Sequence, residues 1–250
     1  MNICTVVSLV PETDVNINIE DKKFINVSNN KFIINPLDEF AIEEAVRTKE
    51  KLGGEVRAII YSVSEHIEND ELLARSILAR GVDSAVLIRN ISCYSQKNIA
   101  KNIINLLDDF KPEMIFSGYK NTFWNSTELP VFIAGMLNYN YCTGITQLEF
   151  SEENKIVCKK EIEAGYNLIS MQLPVVLSVH KGLNEPRYPK LVEIMKAKKK
   201  PLEIKEACNY DDCLFDIDSV KLVQKERNKI VLTDSDEDIN KLAEFIKSKL

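Results

Sequence analysis

Over its first 137 residues the chain alternates two hydrophobic periodicities, and that alternation restricts the folds open to it. Residues 3 to 10 (ICTVVSLV) form a continuous apolar, β-branched run, the pattern of a strand covered on both faces. Similar runs occupy 55 to 63, 84 to 89 and 113 to 118. Stretches of helical period lie between them. In residues 37 to 52, Phe40, Ala41, Ala45 and Leu52 follow helical spacing, carboxylates gather early and basic residues late. The helix dipole favours that charge order, and Gly53 and Gly54 end the pattern. Further helices are predicted at 68 to 80, 95 to 110 and 126 to 137. This succession predicts an α/β fold, a mostly parallel sheet with helices on both faces. Ligands of such sheets bind beyond the carboxyl ends of the strands, here the loops after Val10, Val63, Arg89 and Gly118.

From about residue 145 the pattern changes. GITQLEF, KIVCKKEIE, NLISMQL and VVLSV follow one another closely and predict antiparallel strands that extend the sheet. Residues 201 to 235 are polar and lack a clean period, so they read as an extended arm. A final helix, 236 to 250, has acidic residues from Asp234 to Asp238 at its start and Lys247 and Lys249 at its end. The expected division is therefore an α/β domain over 1 to 200 and an arm with a helix over 201 to 250. Such an arm is not stable alone and needs a surface, either its own domain or a second chain.

Composition removes several classes of function. A net charge of −6 argues against nucleic acid as the main partner, and Lys196, Lys198, Lys199 and Lys200 read as a solvated or steering face. No apolar run reaches bilayer length, so no membrane insertion is expected. The start reads straight into a strand and not into a secretory signal. Cys208 and Cys213 are the one close pair among six scattered cysteines, which favours free thiols in a reducing cytoplasm over disulfides or zinc. His66 and His180 are isolated, without Ser-His-Asp order or H-x-x-x-H spacing.

Three segments carry a resemblance. Residues 183 to 201 read LNEPRYPKLVEIMKAKKKP, residues 34 to 56 read INPLDEFAIEEAVRTKEKLGGEV, and residues 6 to 19 read VVSLVPETDVNINI. In order and spacing they resemble the electron transfer flavoprotein beta subunit family over nearly the whole chain. Ser8 stands where that family's opening usually has lysine. The resemblance implies an adenine-nucleotide-binding, Rossmann-like sheet without a glycine-rich fingerprint. It implies an alpha-subunit partner, an FAD shared with that partner, and either AMP or a second FAD on this chain.

The implied nucleotide site falls on Val6, on Asn35, Pro36, Leu37 and Asp38, on Tyr61, and on the loop from Gly118 to Leu129. That loop departs from the family pattern G-x-Q-A-x-D-x-D-x-x-Q-V-P, reading GYKNTFWNSTELP. Lys120 replaces glutamine, Asn121 replaces alanine, Phe123 and Asn125 replace aspartates, and Glu128 replaces the second glutamine. Lys120 is a candidate phosphate partner, and Phe123 or Trp124 a stacking face for a flat ring or for another chain. Gly118 allows a close approach at the ligand edge. Asn35, Ser126 and Thr127 are candidates either for capping a helix or for holding a phosphate.

Thr13 and Leu37 are implied to lie near the redox FAD, and Glu161 to take part in switching. The segment Asn184, Glu185, Pro186, Arg187, Tyr188, Leu191 and Met195 is implied to recognise a dehydrogenase such as an acyl-CoA dehydrogenase, with Leu191 as anchor. The alternative for Leu191 is packing on its own domain. Arg187 is expected to pair with Glu185 or a backbone carbonyl. Three functions stay open: an electron carrier, a subunit of an electron-bifurcating complex with a second FAD, and a non-redox adenine-nucleotide-binding protein.

Overall fold

A computed structural model of the chain describes residues 1–12, 18–20, 24–26, 31–63, 67–91, 95–151, 154–208, 210, 218–221 and 231–248. Ten strands form one sheet, and two short ones, β2 (Asn18–Glu20) and β3 (Phe24–Asn26), pair separately. At its centre β1 (Asn2–Pro11) lies parallel to β5 (Glu55–Ser62) on one side and β7 (Met114–Gly118) on the other. Beyond β5 come β6 (Ser84–Arg89) and β12 (Leu202–Glu206), both parallel. Beyond β7 comes β11 (Val175–Val179), followed by β8 (Asn140–Phe150), β9 (Lys155–Ile162) and β10 (Gly165–Gln172). The short β4 (Phe32–Ile34) returns antiparallel to the end of β1.

The apolar run of β1 is continuous because both of its faces are covered. Ile3, Val7 and Leu9 join one core with Ala41, Ile42, Ala45 and Val46 of α1 (Asp38–Leu52) and Ala74, Ile77 and Leu78 of α2 (Ile67–Ala79). Cys4 and Val6 join the other with Ile99, Ala100 and Ile103 of α3 (Gln96–Ile104) and Ile133 and Ala134 of α4 (Leu129–Leu137). Each fully buried Ile or Leu contributes about 2 kcal/mol by leaving water.

Several sequence expectations change. VVLSV is not an antiparallel extension; as β11 it runs parallel between β7 and β8, with all five residues buried. A fully apolar strand needs a neighbour on each side and cover on each face, which the sheet interior supplies. The antiparallel extension is β9 and β10, and the outermost, β10, is largely exposed. Helix α3 stops at Ile104 and gives way to turns, and α4 begins at Leu129. The start of the polar 201–235 stretch is an edge strand, β12, and the chain then crosses α3, where Cys208 N–H donates to Asn102 and Asn98 donates to the Tyr210 carbonyl. Helix α6 (Asp236–Lys247) is capped by Ser235, whose hydroxyl accepts from Asp238 N–H, and leaves Ile239, Leu242, Phe245 and Ile246 exposed. Among the described residues no helix is long and apolar enough to cross a membrane.

One buried carboxylate ties α1 to the sheet. Strands β1 and β7 pair as far as Val6 and Ser117. Just past that point Asp38 accepts hydrogen bonds from Ser8 N–H and Ser8 Oγ, both at 2.7 Å, and from Gly118 N–H at 2.9 Å. Burial pushes its carboxyl up to about 6, against the opposing pull of the Ser8 and Gly118 N–H groups, the Ser8 hydroxyl and the Asn35 side chain. Gly118 is obligatory for this packing. A Cβ there would lie 2.7 Å from the Leu37 carbonyl carbon and 2.8 Å from Asp38 N. What approaches Gly118 closely is therefore α1 itself.

Two predictions follow from this joint. A raised carboxyl favours the folded state while protonated, so its contribution is complete below pH 3.8 and is lost as pH rises through about 6. The stability difference between the parent and Asp38→Asn should therefore shift against the parent by about 3 kcal/mol across that window, measured by denaturant unfolding at a series of pH values. Gly118→Ala should destabilise by about 2–3 kcal/mol because the α1 backbone must move, measured in the same way; an unchanged midpoint would refute the packing argument.

Candidate functional site

The carboxyl ends of β1, β5 and β7 meet at one cavity, at the point where the chain order reverses on either side of β1. Doubly wound sheets place ligands at such a point. Nine of the positions marked from sequence line it: Val6, Asn35, Asp38, Tyr61 and Gly118 from the sheet and α1, and Asn121, Ser126, Thr127 and Leu129 from the following loop. Pro36, Leu37, Lys120, Phe123, Trp124, Asn125 and Glu128 lie outside the lining. Thr13 lies outside the described residues.

The capping alternatives do not hold. Asn35 makes no cap: its Nδ2 donates to the Lys120 carbonyl and its Oδ1 accepts from Thr122 N–H, so it binds the loop. Leu37 takes the N-cap place of α1 with no side-chain bond. Helix α4 starts after Glu128, so neither Ser126 nor Thr127 caps it. Phe123 and Trp124 are half-buried and meet each other edge to face, with ring centroids 4.6 Å apart.

Tyr119, within the loop marked from sequence, also lines the cavity, and sequence reading missed Ser8, Gln96, Ser117 and Pro130, which line it too. Ser8 and Ser117 were legible in principle: each is a polar residue interrupting an apolar strand near its carboxyl end. Gln96 Oε1 and Ser117 Oγ are buried without a hydrogen-bond partner and face a space of about 20 Å³. A space of that size holds one water. Pockets that hold cofactor-sized ligands run to roughly 300–1,000 Å³, so the residues as folded do not fit AMP or FAD here.

A second site lies on the opposite side of α1. Asn184 Nδ2 donates to the Phe40 carbonyl and to Glu44. Arg187 does not pair with Glu185. Its guanidinium reaches Glu43 at 2.8 and 2.9 Å and Glu50 at 2.6 and 3.0 Å, and its N–H donates to Glu43 as well. Glu43 and Glu50 stand two turns apart on α1 and present one carboxylate face to the fork. This ion pairing raises the Arg187 guanidinium further and lowers Glu50.

The clamp carries the chain into α5 (Leu191–Ala197). Arg75 holds the far end of α5 through the Ala197 and Lys200 carbonyls, and the Lys200 ammonium donates to the Leu78 and Val82 carbonyls. Lys200 is thus a staple and not part of a solvated face. Between the two attachments the segment exposes Tyr188 at 90%, Leu191 at 74% and Met195 at 64%. Leu191 does not pack on its own domain. Pro186 is half-buried and Glu185 exposed. Glu161 is exposed on β9, opposite Tyr166 of β10.

Comparison with known proteins places the sequence in a family. The family model described as "Electron transfer flavoprotein domain" matches residues 24–209. The electron transfer flavoprotein subunit beta of Bacillus subtilis is 35% identical over 214 residues, covering 84% of this chain and 81% of its own. That of Dictyostelium discoideum is 32% identical over 204 residues, 80% of each chain. The mitochondrial subunit beta of Arabidopsis thaliana is 29% identical over 250 residues, 97% of each. By the family match over residues 24–209 and by these identities over most of its length, the chain belongs to the electron transfer flavoprotein beta subunit family.

Proposed function

We propose that this chain is one half of a heterodimer that shares an FAD with an alpha subunit and carries electrons from a flavin dehydrogenase, such as an acyl-CoA dehydrogenase, to an acceptor. The observation that carries this reading is the doubly attached α5 segment with its exposed apolar residues. Tyr188, Leu191 and Met195 are held out on a short element fixed at both ends. A small apolar anchor in a polar rim gives modest affinity and fast release, which a carrier needs. FAD supplies the electron chemistry. This chain's part is to shield and orient it, with Thr13 and Leu37 as the residues near the flavin and Glu161 as a switching residue. The arm and α6 supply the surface for the alpha subunit: the apolar stripe Ile239, Leu242 and Phe245 is exposed on a helix too short to be stable alone. An electron-bifurcating complex would require a second FAD on this chain, and no observation here favours it.

Co-expression with the alpha subunit should give a yellow one-to-one heterodimer that a dehydrogenase reduces. A colourless, self-associating protein would exclude the proposal and favour the non-redox reading. In the reconstituted assay, Leu191→Ala should raise the KM of the dehydrogenase for the flavoprotein about tenfold, consistent with loss of one anchor worth about 1.4 kcal/mol. Arg187→Ala should do the same by loosening the clamp. Both variants should keep the flavin absorbance spectrum, and a changed spectrum with unchanged KM would place the segment at the flavin instead.

A further inference from the structure

Around the β1–β7 cavity the backbone donors of the loop after β7 are engaged by the chain itself, Gln96 Oε1 and Ser117 Oγ alone being left to the small space between them among the described lining residues. The central residue is Asn121, which is 8% exposed. Its Oδ1 accepts from Phe123 N–H at 3.0 Å and Trp124 N–H at 2.9 Å. Its backbone N–H donates to the Ser126 carbonyl and its Nδ2 reaches the Tyr61 hydroxyl at 3.4 Å. Asn35 Oδ1 takes Thr122 N–H, and Glu128 takes Thr127 N–H. Successive backbone N–H groups in a turn are what a phosphate binds. Here those of Thr122, Phe123, Trp124 and Thr127 already face oxygens of side chains.

Electrostatics point the same way. The cavity wall holds the Asp38 carboxylate, and the neighbouring acceptor at the head of α4 is a second carboxylate, Glu128. Neither is balanced by a cation in the lining, because Ser8 occupies the place where lysine is usual and Lys120 lies outside. An ionised phosphate entering this space meets the Asp38 carboxylate with no cation in the lining to offset it, so the approach is repulsive. The volume, about 20 Å³, suits one water. Asn121 stands where the resembling pattern has alanine, and its amide is what fills the turn.

We infer that the loop from Tyr119 to Leu129 is a built-in plug, with Asn121 in the role of internal ligand, and that the folded subunit carries no adenine nucleotide at this position. This inference is independent of where the redox FAD sits. It also separates this chain from an electron-bifurcating design, in which the same space would hold a second flavin.

The test uses the heterodimer with the alpha subunit. The purified complex is denatured, and released AMP, ADP, ATP and FAD are quantified by mass spectrometry. Native complex is then titrated calorimetrically with AMP up to about 1 mM, the concentration at which even weak sites bind. The expected result is FAD in no more than one copy per complex, adenine mononucleotide well below one copy, and no saturable heat. One AMP per complex, a second FAD, or a saturable AMP isotherm would overturn the inference. Loss of all flavin bears on the proposed function and not on the plug. Hydrogen exchange gives an independent reading. Without added nucleotide the Phe123 and Trp124 amides should be protected, and Asn121→Ala should expose both while α3 and α4 stay protected. Fast exchange at both amides in the parent would mean that the plug is not formed.

Discussion

The structure depends on one carboxylate set into the mouth between two parallel strands. Asp38 closes the carboxyl ends of β1 and β7 by accepting from Ser8 and Gly118, at a depth where unpaired N–H groups would each cost about 1–3 kcal/mol. It does so from the first residue of α1, so the same contact sets the height of that helix over the sheet. Glycine at 118 is the geometric condition for it. Removing the carboxylate from water is unfavourable, and the surrounding donors only partly offset this, which is why its carboxyl sits near 6.

Helix α1 then transmits that placement. One of its ends touches the cavity and the rest of its length carries the clamp. Glu43, Glu44 and Glu50 hold Arg187 and Asn184, and Lys49 reaches Asp83 and the Gly81 carbonyl. Two of the three sequence segments that carry the resemblance, 34 to 56 and 183 to 201, are thus the two halves of one contact. The acidic residues in the first explain the arginine in the second. A surface fixed at both ends in this way has little ordering left to do on binding.

Most of the sheet was legible because strands covered on both faces must be apolar throughout and helices between them must show a stripe. The elements misjudged were those whose identity depends on neighbours. VVLSV looks the same as an edge hairpin strand or an interior one until β7 and β8 are seen on either side of it. The start of the polar arm became a strand only because β6 offered it an open edge. In the cavity, Val6, Tyr61 and Gly118 at strand ends are marked by sequence while Ser8 and Ser117 beside them are not, and Gln96 on α3 is beyond its reach, since nothing local says which loop its side chain meets.

Sequence by itself determined the α/β class, the family, and the strand ends at which the cavity lies, because periodicity, motif resemblance and short-range spacing carry that information. Tertiary structure decided what those residues do. It turned Asn35 from a helix cap into a loop fastener, gave Arg187 its partners on a helix more than a hundred residues away, left Leu191 exposed, and folded Asn121 into its own turn. These outcomes rest on hydrogen bonds and ion pairs between distant segments, whose geometry exists only once the sheet and α1 have brought them together.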